Sequence, residues 1–414
     1  MHHKIQSLLL LFFLLLAFSS HKVLSKPDAR ISTNEDGFAF VSGIDANKLL
    51  VLSPYGQIIN KISLPEKIKS VDYVSSCPCG GYILLADSQN GIALTLDDRS
   101  GKQLLNFPSV KNPGAVSISR HKVRYIAIAD TKKNVVAIFT ETGALVREIQ
   151  GGSRFRQANQ IILDQDNHLW VLDQVSNKIL RMDIQGKLLL TIQANRSIPL
   201  QMALDIDVDE EKRLHVLDKS GKVLVFSFQG KLQESKDLLK TIQSQVLCFS
   251  VNTQDHTYRV ITSSSQYFQL DTQLGIHASI SNLSTEKQKK VIVLRIGSRI
   301  MEHLGIDAAL IEEAPFIDPA SNRSMVPIRA IAEIFGAEVK WNASKREIAI
   351  SWNKKLIVLT INSDLALIDG SQYKMDARPV IRKDRTFVPL RFISEAFGAQ
   401  IQWYAKDQKI VISQ

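Results

Sequence analysis

Three aspartates alternate with apolar residues in Asp205-Ile-Asp207-Val-Asp209, and Glu210 and Glu211 follow. Residues two apart on a strand share a face. On an inner strand these three carboxylates would therefore offer hard oxygen ligands of the kind that calcium takes. The competing expectation is a solvent-facing turn, and it is favoured here. One period earlier the chain reads Asp164-Gln-Asp166-Asn167, a turn-forming composition. Two arginines, Arg329 and Arg391, stand four residues before Glu333 and Glu395. That spacing brings each pair together on a helix and predicts an ion pair. The same arginines are the candidates for meeting an anionic ligand. Cys77, Cys79 and Cys248 are too few and odd in number for a disulfide framework. Cys77-Pro-Cys79 supplies two thiols where a structural zinc needs four ligands. The nine histidines form no spaced metal pair. No nucleophile and base stand at a recognisable spacing, so the expectation is a protein that is not an enzyme and holds no cofactor.

The arginines belong to a motif written twice, 62 residues apart. The first copy runs from Arg323 through Val326, Pro327, Arg329, Glu333, Phe335, Gly336 and Ala337 to Trp341. The second runs from Arg385 through Val388, Pro389, Arg391, Glu395, Phe397, Gly398 and Ala399 to Trp403. Pro327 and Pro389 suit the start of a helix. Ile328, Ile331, Ala332 and Phe335 then make one apolar helical face. Gly336 and Gly398 stand where a left-handed cap ends a helix. Alternating strands follow, with a polar turn and a closing strand. Val291 to Ile296 and Leu356 to Ile361 read as further strands. The reading is two tandem repeats, about 291–351 and 355–413, each too small to bury a core alone. Trp341 and Trp403 are expected at equivalent buried positions.

This doubled pattern resembles the copper amine oxidase N-terminal-like, or stalk, domain of secreted bacterial proteins, over about residues 291–414. The resemblance implies a non-catalytic appendage. Copper is not expected, since the chain has neither a His-x-His pair nor an Asn-Tyr-Asp/Glu sequence that could mature into a quinone. The first copy departs in its loop, with eight residues from Pro315 to Arg323 against six from Pro379 to Arg385.

A second period runs through residues 31–284. Glycines at 56, 101, 143, 186, 230 and 275 are spaced 42 to 45 apart. Before the middle four, an apolar strand ends in aspartate: Asp87, Asp130, Asp173 and Asp218. An aspartate at a strand end bonds the N–H groups of the following turn, so these four read as structural. Three or four short strands per unit predict a mainly β chain with a six-bladed β-propeller, followed by the small α+β domain of two tandem repeats. The units resemble NHL-type repeats, which implies a binding platform whose loops set the ligand. Residues 277–290, polar and rich in Ser and Lys, read as the linker.

The chain has 414 residues and a net charge of +10. The last 129 residues hold 20 Lys and Arg against 15 Asp and Glu. No long basic run interleaved with aromatics occurs, so no nucleic-acid partner is expected. Residues 1–25, with Lys4 before a nearly all-apolar run from Ile5 to Phe18, read as a secretory signal peptide. A membrane would be met only through an uncleaved signal. The expectation is an exported, non-enzymatic binding or scaffold protein, secreted or at the cell surface. Its propeller would bind a ligand or protein, and its stalk part would attach to a cell-wall polymer or envelope protein. The alternative is a propeller enzyme of metal-dependent lactonase or lyase type.

Overall fold

A computed structural model describes residues 29–414 apart from 46, 79, 253–255, 305–307 and 406–407. The expected signal peptide and Cys79 lie outside the described residues. The chain divides into two compact units, chiefly Ser63–Ser284 and Thr285–Gln414.

Among the described residues the N-terminal part contains six four-stranded antiparallel sheets in chain order, at 30–63, 73–106, 113–150, 160–193, 203–237 and 246–280. Each is a meander in which neighbours in sequence are neighbours in space. The first and second strands are largely buried; all six residues of Pro113–Ile118 are covered, as are all five of Leu169–Asp173 and of Leu214–Asp218. From the second sheet to the sixth the fourth strands are the most exposed, and Leu145–Gln150 buries only Ile149. Each first strand lies beside the first strand of the next sheet, and Val246–Val251 returns to Arg30–Thr33. The result is a closed, propeller-like ring with the first strands inside. Among the described residues its one helix of note is α1 (Leu238–Ile242), capped by the Asp237 carboxylate on Lys240 N–H.

The inner edge of each first strand has no partner strand, so its N–H groups must find other acceptors. Side chains of the neighbouring first strand supply them. Ser32 Oγ accepts from Ser76 N–H at 2.9 Å, Ser75 Oγ from Ile118 N–H at 3.0 Å, and Ser117 Oγ from Leu163 N–H at 2.8 Å. Gln160 Nε2 donates to Asp205 at 2.9 Å, Asp207 accepts from Val251 N–H at 2.8 Å, and Ile31 N–H bonds the Cys248 sulfur. Every junction of the ring thus carries a tie. The four strand-end aspartates act as the sequence predicts. Asp87 accepts from the N–H groups of Lys69, Ser70 and Asn90, and Asp130 from those of Lys111, Lys132 and Lys133. Burial is the largest single influence on Asp87 and opposes its ionisation, but these bonds together hold its pKa below the usual carboxylate range.

Residues 276–280, whose last four open the expected linker, form the outer strand Ile276–Ile280, paired with Tyr267–Leu270. An outer strand tolerates polar residues on its solvent face, which is why this one resembles a linker in sequence.

Among the described residues the second unit has three sheets and two helices of functional interest, α2 (Ile328–Ile334) and α3 (Leu390–Phe397). One five-stranded sheet runs, in spatial order, Ala308–Leu310, Ile300–Leu304, Val291–Arg295, Lys409–Ser413, Gln400–Tyr404. The other runs Glu338–Asn342, Glu347–Trp352, Lys355–Thr360, Leu365–Ile368, Ser371–Lys374. A four-stranded sheet has Arg323–Pro327 and Arg385–Pro389 at its centre. There Val326 pairs with Val388, its own counterpart in the motif. An antiparallel pair centred on equivalent residues has a local twofold axis. Each five-stranded sheet combines the hairpin of one sequence copy with the opening strands of the other. The two copies are therefore interlocked rather than two packed units. The cause is the turn at Asn353 and Lys354, both left-handed at φ 45° and 66°. Such a two-residue turn closes a tight hairpin and forces Lys355–Thr360 back onto Glu347–Trp352.

Candidate functional site

The three aspartates singled out by the sequence do not gather. Asp205 and Asp207 share the inner face of Ala203–Val208, as alternation requires, and both are buried. Asp207 binds Arg120 at 3.0 Å and also accepts from Ser250 Oγ and Val251 N–H. Asp209 lies just past the strand end and turns elsewhere. It accepts from Arg213 Nε at 2.7 Å and bonds His215 Nε2 at 2.8 Å, and His215 Nδ1 reaches the buried Tyr258 hydroxyl at 3.0 Å. The expected exposed turn is thus buried only where it begins, at Asp209; Glu210 and Glu211 are exposed. Its analogue one sheet earlier is Asp164, which accepts from Trp170 Nε1 at 3.0 Å and from His168 N–H. Recurrence in neighbouring sheets marks both as ties between turn and second strand. Cys77 and Cys248 are buried, and burial pushes the Cys248 thiol pKa up. Among the described residues no three His, Cys, Asp or Glu side chains come together as a metal cluster would require.

Burial raises the pKa of Asp205 to about 6, against the pull of Arg30 and of the Phe249 N–H. The folded state then holds this proton more tightly than the unfolded chain. Asp205 favours folding below pH 4 and ceases to do so as pH rises through about 6. Relative to Asp205→Asn, the wild type should lose on the order of 2–3 kcal/mol between pH 4 and pH 7. Urea unfolding at both pH values measures this; parallel pH profiles for the two proteins would refute it.

A groove of about 830 Å³ opens in the second unit. Its floor is apolar, from Ile311, Ile328, Val339 and Ile348. Its margins carry exposed apolar side chains: Leu310 at 77%, Ile381 at 42% and Trp341 at 42% exposure. Ile328 comes from α2, Leu310, Val339, Trp341 and Ile381 from sheet-edge strands, and Ile348 from the strand beside one of them. Arg329 and Glu333, both exposed, stand on the α2 side, and an Arg385–Glu312 ion pair closes the rim. The expected Arg329–Glu333 pair does not form. Among the described residues Arg329 has no hydrogen-bond or ion-pair partner. Arg391 turns instead to Asp376 at 3.5 Å, which Arg323 also holds at 2.8 Å. At the surface, a carboxylate already held by a second cation competes well with an i,i+4 partner, since neither bond is worth much.

Trp341 and Trp403 occupy equivalent positions, but not buried ones; each is 42% exposed. Both stand on edge strands, and Trp341 faces the open groove rather than a covering layer. The sequence pointed to Arg329 but missed the groove, whose apolar lining looks like ordinary core in a pattern of alternating strands.

The fold is mainly β, a propeller-like ring of sheets followed by a smaller α+β unit. Residues 304–412, including both motif copies, match the family model of the copper amine oxidase N-terminal domain. A curated relative, a protease inhibitor of Brevibacillus choshinensis, is 24% identical over 98 residues, which is 24% of this chain. The chain spans 30% of the length of that curated relative. Among solved structures, a streptogramin B lyase has a TM-score of 0.46 at 17% identity, covering 64% of this chain and 87% of that one. A virginiamycin B lyase from Staphylococcus aureus has a TM-score of 0.45 at 14% identity, covering 67% and 92%. The WD40 beta propeller domain of Doa1 has a TM-score of 0.43 at 11% identity, covering 57% and 75%. At these identities and scores the lyases' chemistry does not transfer to this chain.

Proposed function

We propose that this protein is an exported, non-enzymatic binding scaffold at the cell surface. In this reading residues 31–284 form a six-bladed propeller of NHL type that serves as a platform for a ligand or protein. Residues 291–414 form a two-repeat stalk domain of the copper amine oxidase N-terminal kind, which attaches to a cell-wall polymer or envelope protein. The observation that carries this is the groove: an exposed apolar surface around a cation, Arg329, that the described protein leaves unsatisfied. The basic balance of the last 129 residues adds a salt-sensitive attraction to anionic wall polymers. The reading as a metal-dependent enzyme has less support, because Asp205, Asp207 and Asp209 are already engaged by Gln160, Arg120, Arg213 and His215.

The test is sedimentation of the full chain with purified cell walls at low and high salt. Arg329→Ala should weaken low-salt binding roughly two- to fivefold, the range for one exposed ionic contact. Binding that ignores both salt and Arg329 would sink the proposal.

A further inference from the structure

The local twofold gives the groove a twin on the other half of the unit, and the twin is filled from within. Its occupant is Tyr373, on the edge strand Ser371–Lys374. The Tyr373 ring packs on Phe392 of α3 with centroids 6.0 Å apart. Its hydroxyl shares a hydrogen bond with Glu395, one turn along the same helix. Register identifies the corresponding positions around the groove. Tyr373 pairs across its hairpin with Ala366, and Ala309 pairs in the same way with Met301. The motif offset places Ala330 where the twin has Phe392, and Glu333 where it has Glu395. Two alanines thus stand where the twin has two aromatic rings, while the glutamate that receives the hydroxyl is kept. Met301, the cross-strand neighbour of Ala309, lines the groove. The strand Ala308–Leu310 is the last of its sheet, so among the described residues its outer edge has no partner strand.

We propose that the groove takes a tyrosine side chain from an extended segment of a partner protein, in the place that Tyr373 fills in the twin. The segment adds to the outer edge of Ala308–Leu310. A residue opposite Ala309 on that added strand projects over the alanine, on the same face of the sheet. Its ring lies against Ala330 and Trp341, and its hydroxyl donates to the Glu333 carboxylate. Phenylalanine would fill the same volume and leave Glu333 without a donor. Arg329, beside Glu333, favours a segment that also carries an acidic residue. This inference rests on the binding-scaffold reading and narrows its partner to a protein.

The probe is the protein's own filling strand. Acetyl-Ser-Gln-Tyr-Lys-Met-amide, the sequence of residues 371–375, and its Tyr→Phe counterpart are titrated into the full chain by calorimetry. The tyrosine peptide should bind roughly ten- to a hundredfold tighter, as expected for a hydrogen bond to a charged acceptor. Glu333→Gln, an exposed substitution, should narrow that preference without altering the fold. Ala309→Tyr with Ala330→Phe writes the twin's residues into the groove and should abolish binding of both peptides. Equal affinity for the two peptides, no binding of either, or full binding by the double variant would overturn the proposal. Sedimentation by protein-free wall glycan that the double variant abolishes would put a sugar in the groove, and would overturn it too. If walls sediment the chain and neither peptide binds, the attachment reading stands and this inference falls. Tyrosine-selective peptide binding without wall sedimentation gives the reverse.

Discussion

Replacing Asp207 with alanine should destabilise the ring of sheets by about 3–5 kcal/mol, the range for removing one partner of a buried ion pair. The carboxylate is 7% exposed and its partner Arg120 15% exposed. Without Asp207 the guanidinium keeps only its bond to the Val208 carbonyl, and the N–H of Val251 loses its acceptor. Of the ties between the fifth and sixth sheets, those of Asp207 to Ser250 and Val251 are lost, while Asp205 still accepts from Phe249 N–H at 3.2 Å. Asp207→Asn retains an acceptor for Val251 and gives up the charge, so it should cost less than the alanine variant. Urea unfolding followed by tyrosine fluorescence measures both. A loss below about 0.5 kcal/mol for Asp207→Ala, typical of a surface change, would remove the carboxylate from this structural role and reopen the cation-site reading.

That prediction depends on a feature the sequence hides well. The periodic glycines and strand-end aspartates were legible because each has a fixed stereochemical task. Gly56, Gly101, Gly143, Gly186 and Gly230 all have left-handed φ between 72° and 89°. The last mark is off by one: Leu274 takes the left-handed position at φ 66°, and Gly275 follows it. The ring ties were not legible, because a single serine in an apolar strand is a weak signal. Ser32, Ser75 and Ser117 recur in phase with Asp207, but Ile162 interrupts the series. Only the unpaired inner edges of the first strands show why an oxygen is wanted there, and why the acidic run at 205–209 belongs to the same series. The interlocking of the stalk copies was hidden for a similar reason. Copy boundaries in sequence say nothing about which strands pair, and only the turn at Asn353-Lys354 carries that information. The groove was invisible as well. Both copies carry the motif, and what opens one and closes the other is Ala330 against Phe392 and Ala309 against Tyr373, at positions the motif leaves variable.

Tryptophan substitutions should separate the core from the groove sharply. Trp170 is fully buried, donates its indole N–H to Asp164, and lies beneath the guanidinium of Arg181 at 5.2 Å from the ring centroid. Trp170→Ala should therefore cost about 3–5 kcal/mol through the cavity it leaves, with a further penalty for an Asp164 oxygen stripped of its donor. Trp341→Ala and Trp403→Ala remove rings of the same size from positions that are 42% exposed, and each should cost less than about 1 kcal/mol, nearer to a surface change than to a core truncation. The repeated tryptophan of the motif has the spacing of a core residue, and the two alternatives differ several-fold in denaturant midpoint. Large losses at both motif tryptophans would mean that the edge strands Glu338–Asn342 and Gln400–Tyr404 are covered in solution, and that the groove is closed by a layer of the protein's own chain. Small losses, with ligand binding reduced for Trp341→Ala and unchanged for Trp403→Ala, would mean that the local twofold is broken in function as it is in volume. The half that keeps its alanines is then the half that binds.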